Sequence, residues 1–247
     1  MKYTWDWHFF FTEADDGLKY YDWIISGMAW TSFVALGALA TALVLGSILG
    51  VMRTTEHKGL VFLGDMYVDI FRNIPLIVQL FMWFFVIPEL LPTALGNWIK
   101  SNLPSWFTAV FGLGLFTAAR IAEQVRSGIQ TLSKAQRFAG LALGFTEWET
   151  YRYVRLPMAY RMILPALTSE VMNVFKNSAV TYAVGILELY FQYKQIIEKT
   201  SRVLEITIVI TIIYFVLAFA TNRIMAFIEN KIRVPGYISG GQEGGAK

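Results

Sequence analysis

The sequence predicts an all-α membrane protein with about five transmembrane helices. Hydrophobic residues make up 55% of the 247 and charged residues only 16%, against about 25% charged in ordinary soluble domains. Mean hydropathy is +0.48. Long apolar stretches recur at the roughly 20-residue length that crosses a hydrocarbon core of about 30 Å. Together these exclude disordered, nucleic-acid-binding and ordinary soluble classes. The chain has no cysteine, so disulfides, thiolate metal sites and cysteine nucleophiles are excluded too. Its two histidines, His8 and His57, lie too far apart in sequence to suggest a metal site.

Residues 1–22 place acidic groups before the first long apolar run, unlike a cleavable signal. They read as a retained external segment with interfacial aromatics. The membrane bundle then occupies 23–230. Its first span runs from Trp23 to Met52 without a charge. The second runs from Leu60 to Leu91, where Pro75 removes a helix hydrogen bond and predicts a kink. The third covers Trp106 to Val125, and the fifth Leu204 to Ile228. The fourth, Ile163 to Leu187, carries Glu170, Asn173, Lys176 and Asn177. Each ionised group at mid-bilayer costs about 2.5–3.5 kcal/mol on insertion scales, so this helix must face water or a protein-lined cavity. The segment 231–247 reads as a cytoplasmic tail, and its end, SGGQEGGAK, as disordered.

Lysine and arginine set the orientation. The 53–59 and 126–161 loops and the C-terminal segment hold twelve of the 21 basic residues, and the opposite side holds six. The first group marks the cytoplasmic side, with the N-terminus outside and the C-terminus inside.

The loop at about 127–160 is the most structured connection. Ser133 with Gln136 forms one capping box and Thr146 with Glu149 a second. They predict a helix over 134–143 stopped at Gly144, then a helix ending before Pro157. Phe138, Leu141, Phe145 and Trp148 recur at helical spacing as an apolar stripe. The stripe either packs on the chain's own bundle or docks into a partner groove.

Gly144, nine residues and then Val154-Arg155-Leu156-Pro157 resemble the signature loop of ATP-binding-cassette importer permeases. In that pattern Phe138, Ala139 and Gly140 occupy the Glu-Ala-Ala positions, with Phe138 replacing the glutamate. Phe71-Arg72-Asn73-Ile74-Pro75-Leu76-Ile77-Val78-Gln79, Glu123–Gln130 and Lys176-Asn177-Ser178 are similar to motifs of polar amino-acid permeases, nearest to the glutamate/aspartate subunits. The resemblance implies a type I importer permease, a multi-pass protein of the bacterial inner membrane. It implies coupling helices in which Phe138, Ala139, Gly140, Leu141, Gly144, Phe145, Trp148 and Pro157 contact an ATPase subunit present in two copies. It also implies a second permease, a paralogue or a second copy, and a periplasmic binding protein that delivers an amino acid. ATP and Mg would then bind the ATPase. The sequence agrees, since it has no Gly-Lys dipeptide and hence no P-loop. No cofactor, catalytic residue, metal or nucleic-acid partner is expected on this chain, whose remaining contacts are with lipid.

Within the spans, Arg120 either pairs with Glu123 at i+3, snorkels to the interface, or binds a substrate carboxylate with its planar fork. Glu170, Asn173 and Asn177 share one helix face, beside Lys176. With Ser178 they form either a polar packing network or a cavity wall that contacts substrate. Arg72 either pairs with Asp69 or faces the pathway with Asn73 at the proline break. The reading of another class is an ion-coupled carrier or channel acting alone. The coupling-loop signature and the lack of an evident internal repeat argue against it.

Overall fold

A computed structural model describes residues 3–14, 16–132 and 134–232. The Ser133–Gln136 capping box and the tail beyond 232 lie outside them. The described residues are helical almost throughout: α1 Tyr20–Met52, α2 Lys58–Asn73, α3 Leu76–Phe81, α4 Ile87–Leu90, α5 Thr93–Asn102, α6 Ser105–Thr131, α7 Lys134–Ala142, α8 Glu147–Thr150, α9 Leu156–Asn177, α10 Leu189–Thr200 and α11 Val203–Ile232.

Helices α1, α6 and α11 are long and apolar enough to cross a membrane, and the bent pair 58–73 and 76–90 would make a fourth crossing. Helix α9 carries Arg161, Glu170 and Lys176. It is packed against both α6 and α11, which cover most of Glu170, whereas Arg161 and Lys176 are exposed.

Helices α1 and α6 form the spine. Ala38, Ala42, Gly46 and Gly50 recur every four residues along one buried face of α1. A Cβ on Gly46 would sit 2.8 Å from Ile121, and one on Gly50 would sit 2.6 Å from Val125. Only glycine allows that approach. This is the small-residue packing by which helices associate in lipid, where apolar burial gives no advantage over the tails. Contacts climb together along both helices, from Gly37 on Val110 to Gly50 on Val125, so the two run parallel. Helix α9 runs antiparallel to α6, with Ile163 against Gly128 and Ala166 beside Gln124.

The second span is broken rather than kinked. Its two parts meet at 107°, because Ile74 and Pro75 are extended and the Gln79 side chain holds the freed ends. Its Nε2 donates to the carbonyls of Phe71 at 2.8 Å and Ile74 at 2.9 Å. Two π turns also precede prolines. Met82–Val86 lies before Pro88 and Tyr151–Arg155 before Pro157, and the wider turn shifts the ladder where the proline offers no N–H. The helix expected to end before Pro157 therefore continues into α9, with Pro157 in its first turn.

The N-terminal segment is anchored. Phe9 and Phe10 are buried with Tyr20, Ile24, Ile196 and Ile206. The buried Glu205 carboxylate accepts from the Tyr3 hydroxyl and from the Asp6 N–H. At the same end, buried Glu188 caps α10, accepting from the Tyr190 and Phe191 N–H groups and from the Tyr214 hydroxyl of α11.

Candidate functional site

Three groups of polar side chains stand out along the α1–α6–α9 core. The first lies midway along α6. Arg120 faces Glu170 of α9 with 3.6 Å between Nη1 and Oε1, and its guanidinium lies 5.3 Å from the centre of the Phe116 ring. Its side chain is 42% exposed and that of Glu170 is 12% exposed. Of the pairings open to Arg120, the local one with Glu123 does not form. Glu123 is taken by Arg53 at 2.7 Å.

Further along α9, Lys176 is exposed and Asn177 half-buried. Ser178 is fully buried and donates its hydroxyl to the Phe175 carbonyl at 2.7 Å. These three sequence-predicted residues thus differ in what they offer. Among the described residues the exposed Lys176 ammonium meets no partner, whereas the Ser178 hydroxyl has a backbone one.

The second group is an ion-pair hub that spacing could not reveal. Arg53, at the end of α1, is 6% exposed. It donates to Asp65 of α2 at 2.6 Å and to Glu123 of α6 at 2.7 Å. Arg126 approaches Asp65 at 3.4 Å, and Arg72 approaches Glu123 at 3.5 Å. Arg72 therefore joins α6 rather than pairing with Asp69. Two carboxylates and three guanidiniums tie three helices, and the buried Arg53 is compensated on both sides.

The third group is the 134–157 loop. Helix α7 ends in a Schellman motif. The Phe145 N–H donates to the Gly140 carbonyl and the Gly144 N–H to that of Leu141, with Gly144 at φ +86°, a conformation that favours glycine. The Thr146–Glu149 capping box forms as predicted, with the Thr146 N–H donating to Glu149 at 2.8 Å and the Glu149 N–H to Thr146 at 3.2 Å. The Thr146 N–H and then its hydroxyl, both donating to the Glu149 carboxyl, hold it below its usual range. Arg137 clamps the loop. Its Nε and Nη2 reach Glu147 at 3.0 and 2.5 Å, and Nη2 reaches Glu56 of the α1–α2 turn at 2.8 Å. The pairing depresses the Glu147 carboxyl. The Tyr151 hydroxyl adds a bond to the Thr54 carbonyl in the same turn at 2.8 Å.

The expected stripe divides. Leu141 is half-buried and Gly140 lies against Thr150, whereas Phe138 and Trp148 are 58% and 62% exposed and Ala139 and Phe145 also face outward. Phe138 and Trp148 border a cavity of about 760 Å³ between the loop and the end of α1, lined also by Ile48, Glu56, Arg137 and Tyr151.

Residues 42–234 match the family described as binding-protein-dependent transport system inner membrane component. The chain belongs to that family. This permease is 40% identical to the glutamate/aspartate import permease protein GltJ of Escherichia coli K12, over 97% of this chain and 100% of the relative. It is 31% identical to the probable glutamine ABC transporter permease protein GlnM of Bacillus subtilis, over 84% and 92%, and 25% identical to GltK, a second glutamate/aspartate import permease of Escherichia coli O6:H1, over 85% and 93%. A crystal structure of an amino acid ABC transporter with histidines superposes at TM-score 0.71, with 28% identity over 86% of this permease and 95% of that chain. The chain is thus an ABC-importer permease of the polar amino-acid class, a multi-pass membrane transport subunit.

Proposed function

We propose that this permease imports glutamate and aspartate. It forms half of a translocation pathway with a paralogous permease and is driven by two copies of a separate ATPase that binds ATP and Mg. A binding protein outside the bacterial inner membrane hands over the amino acid. The 134–157 loop, through Phe138, Ala139, Phe145 and Trp148, receives the ATPase on the cytoplasmic side. The nearly full-length identity to GltJ supports the acidic substrate.

The observation that carries this reading is Arg120. Among the described residues its guanidinium makes no hydrogen bond, although it sits midway along a membrane-spanning helix. An arginine there is too costly to face hydrocarbon, and its planar fork matches a carboxylate. Lys176 and Asn177, further along α9, extend the same polar lining, and Arg72 stands at the inner end.

The test is uptake of labelled glutamate in cells lacking this chain, with and without its restoration. Restoration should recover uptake, excess aspartate should block it, and arginine should not. Arg120→Ala should lower glutamate uptake at least tenfold while the subunits still co-purify. Normal uptake in that variant overturns the assignment of Arg120, and competition by arginine or glutamine overturns the acidic substrate.

A further inference from the structure

Arg120 and Glu170 differ from the tight ion pairs that Arg53 and Arg137 make. Arg53 closes on Asp65 at 2.6 Å and on Glu123 at 2.7 Å, and Arg137 closes on Glu147 at 2.5 Å, each with hydrogen bonds. Those pairs serve structure, and their geometry is tight. Arg120 and Glu170 stay 3.6 Å apart, beyond hydrogen-bond reach. Among the described residues neither side chain has another polar partner. Glu170 is a mostly buried carboxylate without a donor, and Arg120 is a five-donor fork without an acceptor. Of the two, Glu170 is the group held largely away from solvent without a donor, while Arg120 stays open to it, and they meet at the seam of α6 and α9.

We propose that the pair is a receptor for the two charged ends of an amino acid, with Glu170 taking the α-ammonium and Arg120 a carboxylate. The proposal rests on the reading that the α6–α9 seam lines the substrate path. The charge balance fits: the pair is neutral as a unit, and so is the ammonium–carboxylate unit that inserts into it. Each protein group exchanges one distant counter-ion for a hydrogen-bonded one. An ammonium brings three donors to a carboxylate that has none. The Phe116 ring beside the guanidinium keeps the fork in place while the pair is empty.

The discriminating probes are glutamate and glutarate, which share two carboxylates and differ in the ammonium. Binding of each is measured on the purified complex with its partner subunits, in detergent and without the binding protein. Glu170→Gln should weaken glutamate by about 10–100-fold, the loss expected for one charged hydrogen-bond partner, and should leave glutarate unchanged or tighter. Glu170→Asp keeps the carboxylate and should retain most of the preference for glutamate. It also serves if the glutamine variant fails to assemble, because its shorter reach should still reduce the glutamate-to-glutarate ratio. An unchanged ratio in the assembled variants overturns the proposal, and so does equal weakening of both probes. Arg120→Ala separates the two claims. If it abolishes both probes while the Glu170 variants keep the wild-type ratio, this proposal falls and the carboxylate role of Arg120 in the proposed function stands. If it changes neither probe, the carboxylate role of Arg120 falls and this proposal falls with it.

Discussion

At the residue scale, Arg53 shows how much a single side chain can hold. It lies in a loop by sequence and counts there only as one more positive charge. In the structure it is buried and bridges carboxylates of two helices. Removing Arg53 leaves Asp65 and Glu123 partly exposed and still beside Arg126 and Arg72, so the loss stays below the about 3–5 kcal/mol of a stranded buried charge. Arg53→Ala should still lower the thermal midpoint of the purified permease, because three helices lose their shared tie. Arg53→Lys should fall between the two, since an ammonium lacks the fork that reaches Asp65 and Glu123 together. A midpoint unchanged in Arg53→Ala would show the hub to be superficial. The hub also explains which pairings were legible in the sequence. Local rules put Glu123 with Arg120 and Asp69 with Arg72. Both gave way to partners on other helices, which an i+3 rule cannot see. The Thr146–Glu149 box was legible because it is wholly local.

At the scale of elements, the α1–α6 seam decides the spine. Gly50→Val would drive a β-branched side chain into Val125 and the Ala122 carbonyl, within 3.0 Å of each. Overpacking of this kind costs about 1–3 kcal/mol and should lower the thermal midpoint. Gly59→Ala is the control. At Gly59 a Cβ meets only the His57 ring, at 3.5 Å, so the midpoint should hold. Equal effects at both sites would contradict the seam. The positions of the long apolar helices were legible from composition. The 107° break was legible only as a kink at Pro75. Its size depends on Gln79 reaching back to two carbonyls, a side-chain bond that hydropathy does not register.

At the scale of the molecule, the 134–157 loop and the bundle are joined through Arg137. Its bonds to Glu147 and Glu56 bind the loop to the turn that ends at α2. Arg137→Ala should therefore reduce glutamate uptake several-fold in the assembled complex while leaving the partner ATPase able to hydrolyse ATP. Full uptake in the variant would show that the clamp carries no coupling. The pH dependence has a definite sign. Arg137 holds the Glu147 carboxyl below its usual range, so the clamp is complete above the ordinary carboxylate value of about 4. It is lost as pH falls through the depressed value. A fluorophore on the loop should report release only on that acid side, and the acid release should be smaller in Glu147→Gln, where only the Arg137–Glu56 pair remains.

The α1–α6 seam has one further consequence. Alanine and glycine have no rotamers to freeze when they pack, so the α1 side of this joint consumes almost no side-chain disorder, and the branched side chains of Ile121 and Val125 that fill the other side are stiff. Such a joint has little to rearrange, and a transport cycle would carry the two helices as one rigid beam. The bending that such a cycle demands then falls to places already interrupted along the chain, the Pro75 break and the two π turns.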